Sequence, residues 1–220
     1  GSCCDGCMTE EFTPPAEWLA RITAGIEASI TTKRELLAGP VPAQLAQMVQ
    51  DAVTTLERGG RLFFAGNGGS CTDAMHLATE FVVRFRHNRE PLAAIALGTS
   101  QANLTATGND FDFAQIFVRE LKALSRSGDL LIALSTSGNS RNILFCVEEA
   151  RKRGLKVYGL TGVSGGKLAG LCPTLKMPAT ETARIQEAHI TLGHLFCELV
   201  EDYFSARPAP ASPPGPRRRW

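Results

Sequence analysis

The chain has 220 residues and a mass of 23.6 kDa, the size of one large domain with an appendage. Hydrophobic residues make up 44% and charged residues 20%, a globular balance, and no apolar run reaches the roughly 18 residues a membrane-spanning helix needs. With 23 basic against 22 acidic side chains the net charge is +1, which excludes a bulk electrostatic case for nucleic acid or an anionic membrane.

The opening GSCCDGCMTE has no basic flank followed by an apolar block, so no secretory signal is expected, and residues 1–13 read as a disordered terminus. Cys3, Cys4 and Cys7 crowd together there, but no second cysteine or histidine pair completes a zinc site. Cys71, Cys146, Cys172 and Cys197 are scattered through apolar contexts. An odd total of seven argues for reduced thiols in a cytoplasm.

Trp18, Ile22, Ile26 and Ile30 recur four apart and predict a helix over 14–37. A second helix is expected from near Pro42, with Leu45, Val49, Val53 and Leu56 inside and Gly59-Gly60 as its stop. Short β-rich runs follow at 62–65, 92–97, 130–134, 157–160 and, more weakly, 174–177. Helical periodicity fills the gaps around 73–84, 113–124 and 143–151, with a short piece near Lys167, and a last helix spans 182–204. Strands alternating with helices mean a parallel sheet covered on both faces. The expected fold is therefore α/β: a three-layer αβα sandwich with a five-stranded parallel sheet over 61–205, preceded by a helical hairpin over 14–60. The hairpin's apolar faces favour a homo-oligomer. The last fifteen residues, ARPAPASPPGPRRRW, hold five prolines and no apolar period, so 206–220 read as a disordered Pro/Arg-rich tail.

Two junctions after strands are chemically loaded. Gly66-Asn67-Gly68-Gly69-Ser70 lets the backbone curl and approach a ligand where a helix offers free N–H groups. It is no dinucleotide fingerprint, because the third glycine would fall on Cys71. The later TGVSGGK lacks the leading glycine of a phosphate-binding NTPase loop, and Leu168 follows its lysine. The second junction, Ser135-Thr136-Ser137-Gly138-Asn139-Ser140, puts four hydroxyls and a glycine at a helix start. One hydroxyl would serve as an N-cap; four suit a phosphate on a small polar molecule.

His76 and Glu80 are four apart, on one helix face. The last helix carries Gln186, His189 and His194, with Gln186 and His194 about two turns apart. Histidine, glutamate and, more rarely, glutamine are ligands zinc accepts, although no HExxH-type motif is present.

The strings AGNGGSCTDAMHLATEFVVRF, ATGNDF, ALSTSGNS and ARIQEAHITLGH, in register across 14–205, resemble the sugar isomerase (SIS) family and, within it, the bacterial phosphoheptose isomerases. That resemblance implies a cytoplasmic homotetramer with active sites between subunits and a zinc ion in each subunit. It implies conversion of sedoheptulose 7-phosphate into D-glycero-D-manno-heptose 7-phosphate, the first step toward nucleotide-activated heptose. By position it makes His76, Glu80, Gln186 and His194 metal ligands, and Glu80 and His194 the acid–base pair. It assigns substrate contacts to Asn67, Gly68, Gly69, Ser70, Glu80, Arg84, Asn109, Asp110, Ser135, Thr136, Ser137, Ser140 and Gln186. Some members carry an aspartate two residues before the IQE of the last helix; Ala183 stands there, so no role is expected at that position. Isomerisation through an enediol(ate) needs one group at carbon and one at oxygen, and Glu80 and His194 can fill these roles in either order. A non-catalytic SIS-fold adaptor of the DnaA initiator-associating type is the alternative; those relatives lack the glutamate and terminal histidine that Glu80 and His194 supply. No nucleic-acid or membrane partner is expected.

Overall fold

In the computed structural model, which describes residues 13–206, the chain opens with two helices, α1 (Ala16–Ala38) and α2 (Val41–Glu57). The Cys3–Cys4–Cys7 cluster and the tail from residue 207 lie outside those residues. Pro40 and Pro42 start α2, where a missing N–H costs nothing. Five strands follow: β1 (Leu62–Gly66), β2 (Ala94–Ala96), β3 (Leu130–Leu134), β4 (Lys156–Thr161) and β5 (Thr174–Lys176). Between and after them run α3 (Gly69–Val82), α4 (Gln101–Asp110), α5 (Ile116–Leu124), α6 (Arg141–Lys152) and α7 (Thr182–Ser205), with 3₁₀ turns at Phe113–Gln115 and Lys167–Gly170.

All strand pairs are parallel, in the order β2-β1-β3-β4-β5. Both central strands are apolar and buried at every position, as a sheet covered on two faces requires. Alternation then sorts the core. Leu62 and Phe64 join Met48, Phe81 and Phe196 under α2, α3 and α7, while Phe63 and Ala65 join Phe117, Leu121 and Val147 under α5 and α6. The strand order reverses between β1 and β3. In open α/β sheets the crevice at that reversal, beyond the strands' carboxyl ends, is where ligands collect.

Two elements differ from expectation. The helix foreseen over 113–124 is a 3₁₀ turn followed by α5, and α4 precedes it where none was foreseen. Helix α4 is polar, with Asn, Thr and Gly where propensity is poor, and Ser100 caps it by accepting from the Asn103 N–H at 3.3 Å. The stripe on α1 faces outward, an apolar face that its own chain leaves uncovered: Trp18, Ile22 and Ile26 are exposed, and only Thr32 and Leu36 are buried on that helix.

His189 is fully buried in α7, its Nε2 3.3 Å from the Thr161 carbonyl. Burial pushes its pKa down to about 4 from 6.5, against the pull of that hydrogen bond. Between those values the unfolded chain binds a proton that the folded chain refuses. Stability is therefore full above pH 6.5 and falls by up to about 3 kcal/mol as pH drops through the window. Urea midpoints across pH 7.5 to 4 should decline in wild type, with a visibly smaller slope in His189→Leu; identical slopes would contradict this.

Candidate active site

The glycine junction sits where β1 hands over to α3. Gly68 has φ +54° with ψ −123°, a conformation closed to residues with a Cβ, and it turns the chain so that α3 begins at Gly69. One strand over, the serine junction links β3 to α6. Gly66 is in register with Leu134, so the N-termini of α3 and α6 stand side by side at the strand-order reversal. Asn67 and Asn142 join the two junctions through a reciprocal amide pair, Nδ2 to Oδ1 at 2.9 and 2.8 Å. Two helix N-termini at one crevice are suited to an anion.

The hydroxyls divide by exposure. Ser135 is buried, its Oγ accepting the Gly138 N–H at 3.2 Å and lying 3.4 Å from the Ser140 Oγ. Thr136 and Ser140 are half-buried and Ser137 is exposed. Ser140 is the residue before α6, yet its hydroxyl makes no capping bond, which leaves it available to a ligand. The TGVSGGK segment proves to be a brace for this loop: Gly138 packs directly on Gly165, Gly166 packs on the Ser137 carbonyl, and the Leu168 N–H donates to the Gly138 carbonyl at 3.0 Å. Ser70 is buried in the first turn of α3 against Gly66.

Helices α3 and α7 lie alongside each other and run the same way. A Cβ on Gly69 would stand 2.6 Å from the Gln186 Nε2, and one on Gly193 would stand 2.7 Å from Leu77. That close approach brings His76 and His194 together, Nε2 to Nε2 at 2.8 Å, with Glu80 Oε1 3.5 Å from His76 Nε2. Two ring nitrogens this close need a proton or a cation between them. Two imidazole nitrogens, a carboxylate oxygen and the Gln186 amide oxygen are donor types that zinc takes, so the set fits that ion chemically. Among the described residues no three of His, Cys, Asp and Glu stand in a ready-made metal cage.

Arg84 is exposed just beyond α3. Asn109 and Asp110 pair with each other at 2.8 Å at the end of α4, and Asp110 borders a cavity of about 410 Å³ with Thr107, Phe111 and Arg119. The chain after them is tied to α6 by the Asp112–Arg141 pair at 3.2 Å.

Two polar residues escaped the sequence reading. Asn142, only 3% exposed, carries no sequence mark that separates it from an ordinary first-turn asparagine. Asp73 had a signal, since it lies three residues before His76 on the Glu80 face. Burial raises its carboxyl above the usual range, opposed by His76 and His194.

The chain is similar to known proteins of one family. The family model for the SIS domain matches residues 27–162. A phosphoheptose isomerase of Thermodesulfovibrio yellowstonii is 44% identical over 190 residues, covering 86% of this chain and 94% of the relative. One from Rhodospirillum rubrum is 47% identical over 165 residues, covering 74% and 88%. The structure of the Neisseria gonorrhoeae phosphoheptose isomerase superposes with a TM-score of 0.79 at 38% identity, covering 84% of this chain and 99% of that one.

Proposed function

Because the chain belongs to the SIS-domain family, among the phosphoheptose isomerases, we propose that it converts sedoheptulose 7-phosphate into D-glycero-D-manno-heptose 7-phosphate, the entry to nucleotide-activated heptose. It is an isomerase of sugar phosphates. The observation that carries the finer reading is the convergence of Glu80, His76 and His194 on the α3–α7 pair, whose N-terminal end adjoins the hydroxyl-rich crevice.

In this reading the serine loop, with Ser135, Thr136, Ser137 and Ser140, holds the phosphate through hydroxyls and helix N–H groups. Asn67, the Gly68–Gly69 backbone, Ser70 and Gln186 line the sugar, with Arg84, Asn109 and Asp110 as further contacts. Glu80 takes a proton from C1 of the open-chain ketose and returns it to C2 of the enediol(ate). His194 moves a proton from the O1 hydroxyl to O2. Each group works on a different atom, as one carboxylate and one imidazole allow. His76, Glu80, Gln186 and His194 would hold zinc, which when bound supplies Lewis-acid polarisation of the sugar's oxygens.

Assembly as a homotetramer with sites between subunits belongs to the same proposal. The exposed apolar face of α1 supports it. A cytoplasmic setting is supported by free thiols at Cys71, Cys146, Cys172 and Cys197. No helix among the described residues is long and apolar enough to cross a membrane.

The test is NMR of the protein with sedoheptulose 7-phosphate in D₂O, with and without chelator and added zinc. An aldose phosphate is expected, with deuterium at C2 to the extent that the proton held on Glu80 exchanges with solvent before delivery; chelation should slow its formation and zinc restore it. Binding without conversion would overturn the reading in favour of a non-catalytic SIS-fold protein.

A further inference from the structure

Between α3 and β2 the chain has neither helix nor strand, yet its first part is firmly pinned. Glu201 on α7, only 1% exposed, accepts three consecutive backbone N–H groups: Phe85 at 2.8 Å, Arg86 at 2.5 Å and His87 at 3.0 Å. Arg89 faces the same carboxylate, Nε to Oε1 at 3.3 Å. Its guanidinium also reaches back to the end of α3, where Nη2 donates to the Glu80 carbonyl and Nη1 to the Phe81 carbonyl, both at 2.8 Å. Those carbonyls lie in the last turn of α3, where a helix has no N–H of its own to offer. The segment in between lays the Phe85 ring on the His194 imidazole, with centroids 5.6 Å apart and planes 27° apart.

A buried carboxylate is expensive unless it is well satisfied, and successive backbone N–H groups form a nest that satisfies it. Burial alone would raise the Glu201 carboxyl; the three N–H donors and Arg89 outweigh it and hold the group below the usual carboxylate range. A buried ion pair is a poor source of stability but a good source of unique geometry. Here the geometry it makes unique includes the backbone of Glu80 on one side and the ring of His194 on the other.

We infer that Glu201 and Arg89 are positioning residues for the isomerisation. Arg89 fixes α3 at the Glu80 carbonyl, and Glu201 fixes the segment that holds Phe85 against His194. The inference rests on the roles assigned above to Glu80 and His194, although its structural half is measurable without turnover.

Glu201→Gln keeps the side chain's size but loses the charge and part of the acceptor capacity. The His194 Cε1–Hε1 signal, identified among the four histidines by its loss in His194→Gln, reports the Phe85 ring current. Phe85→Leu, a half-buried site where folding should survive, gives the unstacked position. In Glu201→Gln the signal should move at least halfway to that position. Turnover should fall about tenfold with KM changed less than threefold, as expected for a misplaced catalytic group. Glu201→Gln combined with Phe85→Leu should be no slower than the slower single, because both act on one contact. If Glu201→Gln does not fold, Arg89→Lys replaces it: a lysine cannot span the Glu80 and Phe81 carbonyls, and the same fall in turnover with KM changed less than threefold is expected, an unchanged turnover overturning the inference. A His194 signal at its wild-type position, or losses that multiply in the double variant, would overturn the inference. Wild type inert toward sedoheptulose 7-phosphate would instead sink the isomerase reading, while the ring-current shift would still decide this one.

Discussion

Glu80→Gln should lower kcat by roughly 10²–10⁴-fold and leave the fold and KM nearly unchanged. The amide has the shape of the carboxylate but cannot take a proton from carbon. Little in the fold depends on the charge. The Glu80 side chain makes one ion pair, 3.5 Å to a His76 ring that is 46% exposed, and such pairs contribute little. The contact from Arg89 is to the Glu80 backbone carbonyl, which glutamine preserves. The serine loop is untouched, so substrate should still bind. His194→Gln should cost turnover on the same scale, with a small loss of stability from the Phe85 stacking. Circular dichroism and steady-state kinetics separate these outcomes, and a near-normal rate in either variant would remove that residue from the chemistry.

Gly138→Ala should act in the opposite way, on KM and stability. Gly138 has φ +65°, and a Cβ there would run into the Gly165 backbone carbonyl, with the Gly166 Cα 3.1 Å away. A left-handed conformation costs an L-residue about 1–2 kcal/mol, and overpacking against backbone adds about 1–3 kcal/mol. For a chain of this size that sum lowers Tm by roughly 5–15 °C. The strain falls on a loop whose Gly138 N–H and carbonyl are both bonded, to Ser135 and to Leu168, so the hydroxyls and the start of α6 move together. KM for the phosphorylated sugar should rise at least tenfold, with kcat changed less. A thermal melt and a saturation curve test this; an unchanged KM would mean the phosphate binds elsewhere.

Much of this was legible in the sequence because strong local signals and global architecture agree. The runs that became β1 and β3 are wholly apolar and bounded by glycine- or serine-rich junctions, so both the strands and the loaded loops could be read directly. His76 and Glu80 declared a shared face through spacing alone. Their approach to His194 did not follow from spacing, because it depends on Gly193 packing against Leu77, a contact between residues more than a hundred positions apart. Helix α4 was missed because tertiary packing and the Ser100 cap hold a sequence of weak helix formers. The stripe on α1 was periodic as read but meets solvent here, because periodicity marks a face without naming what covers it. Glu201 and Arg89 look like ordinary surface charges in sequence, and only the fold puts them both inside.

The most direct measurement is a crystal structure of the Glu80→Gln variant soaked with sedoheptulose 7-phosphate. The phosphate is expected against Ser135, Thr136, Ser137 and Ser140, with C1 and C2 within about 3.5 Å of the residue 80 amide and O1 and O2 within about 3.5 Å of the His194 ring. A phosphate seated away from that loop, or reacting carbons out of reach of both side chains in the complete assembly, would contradict it.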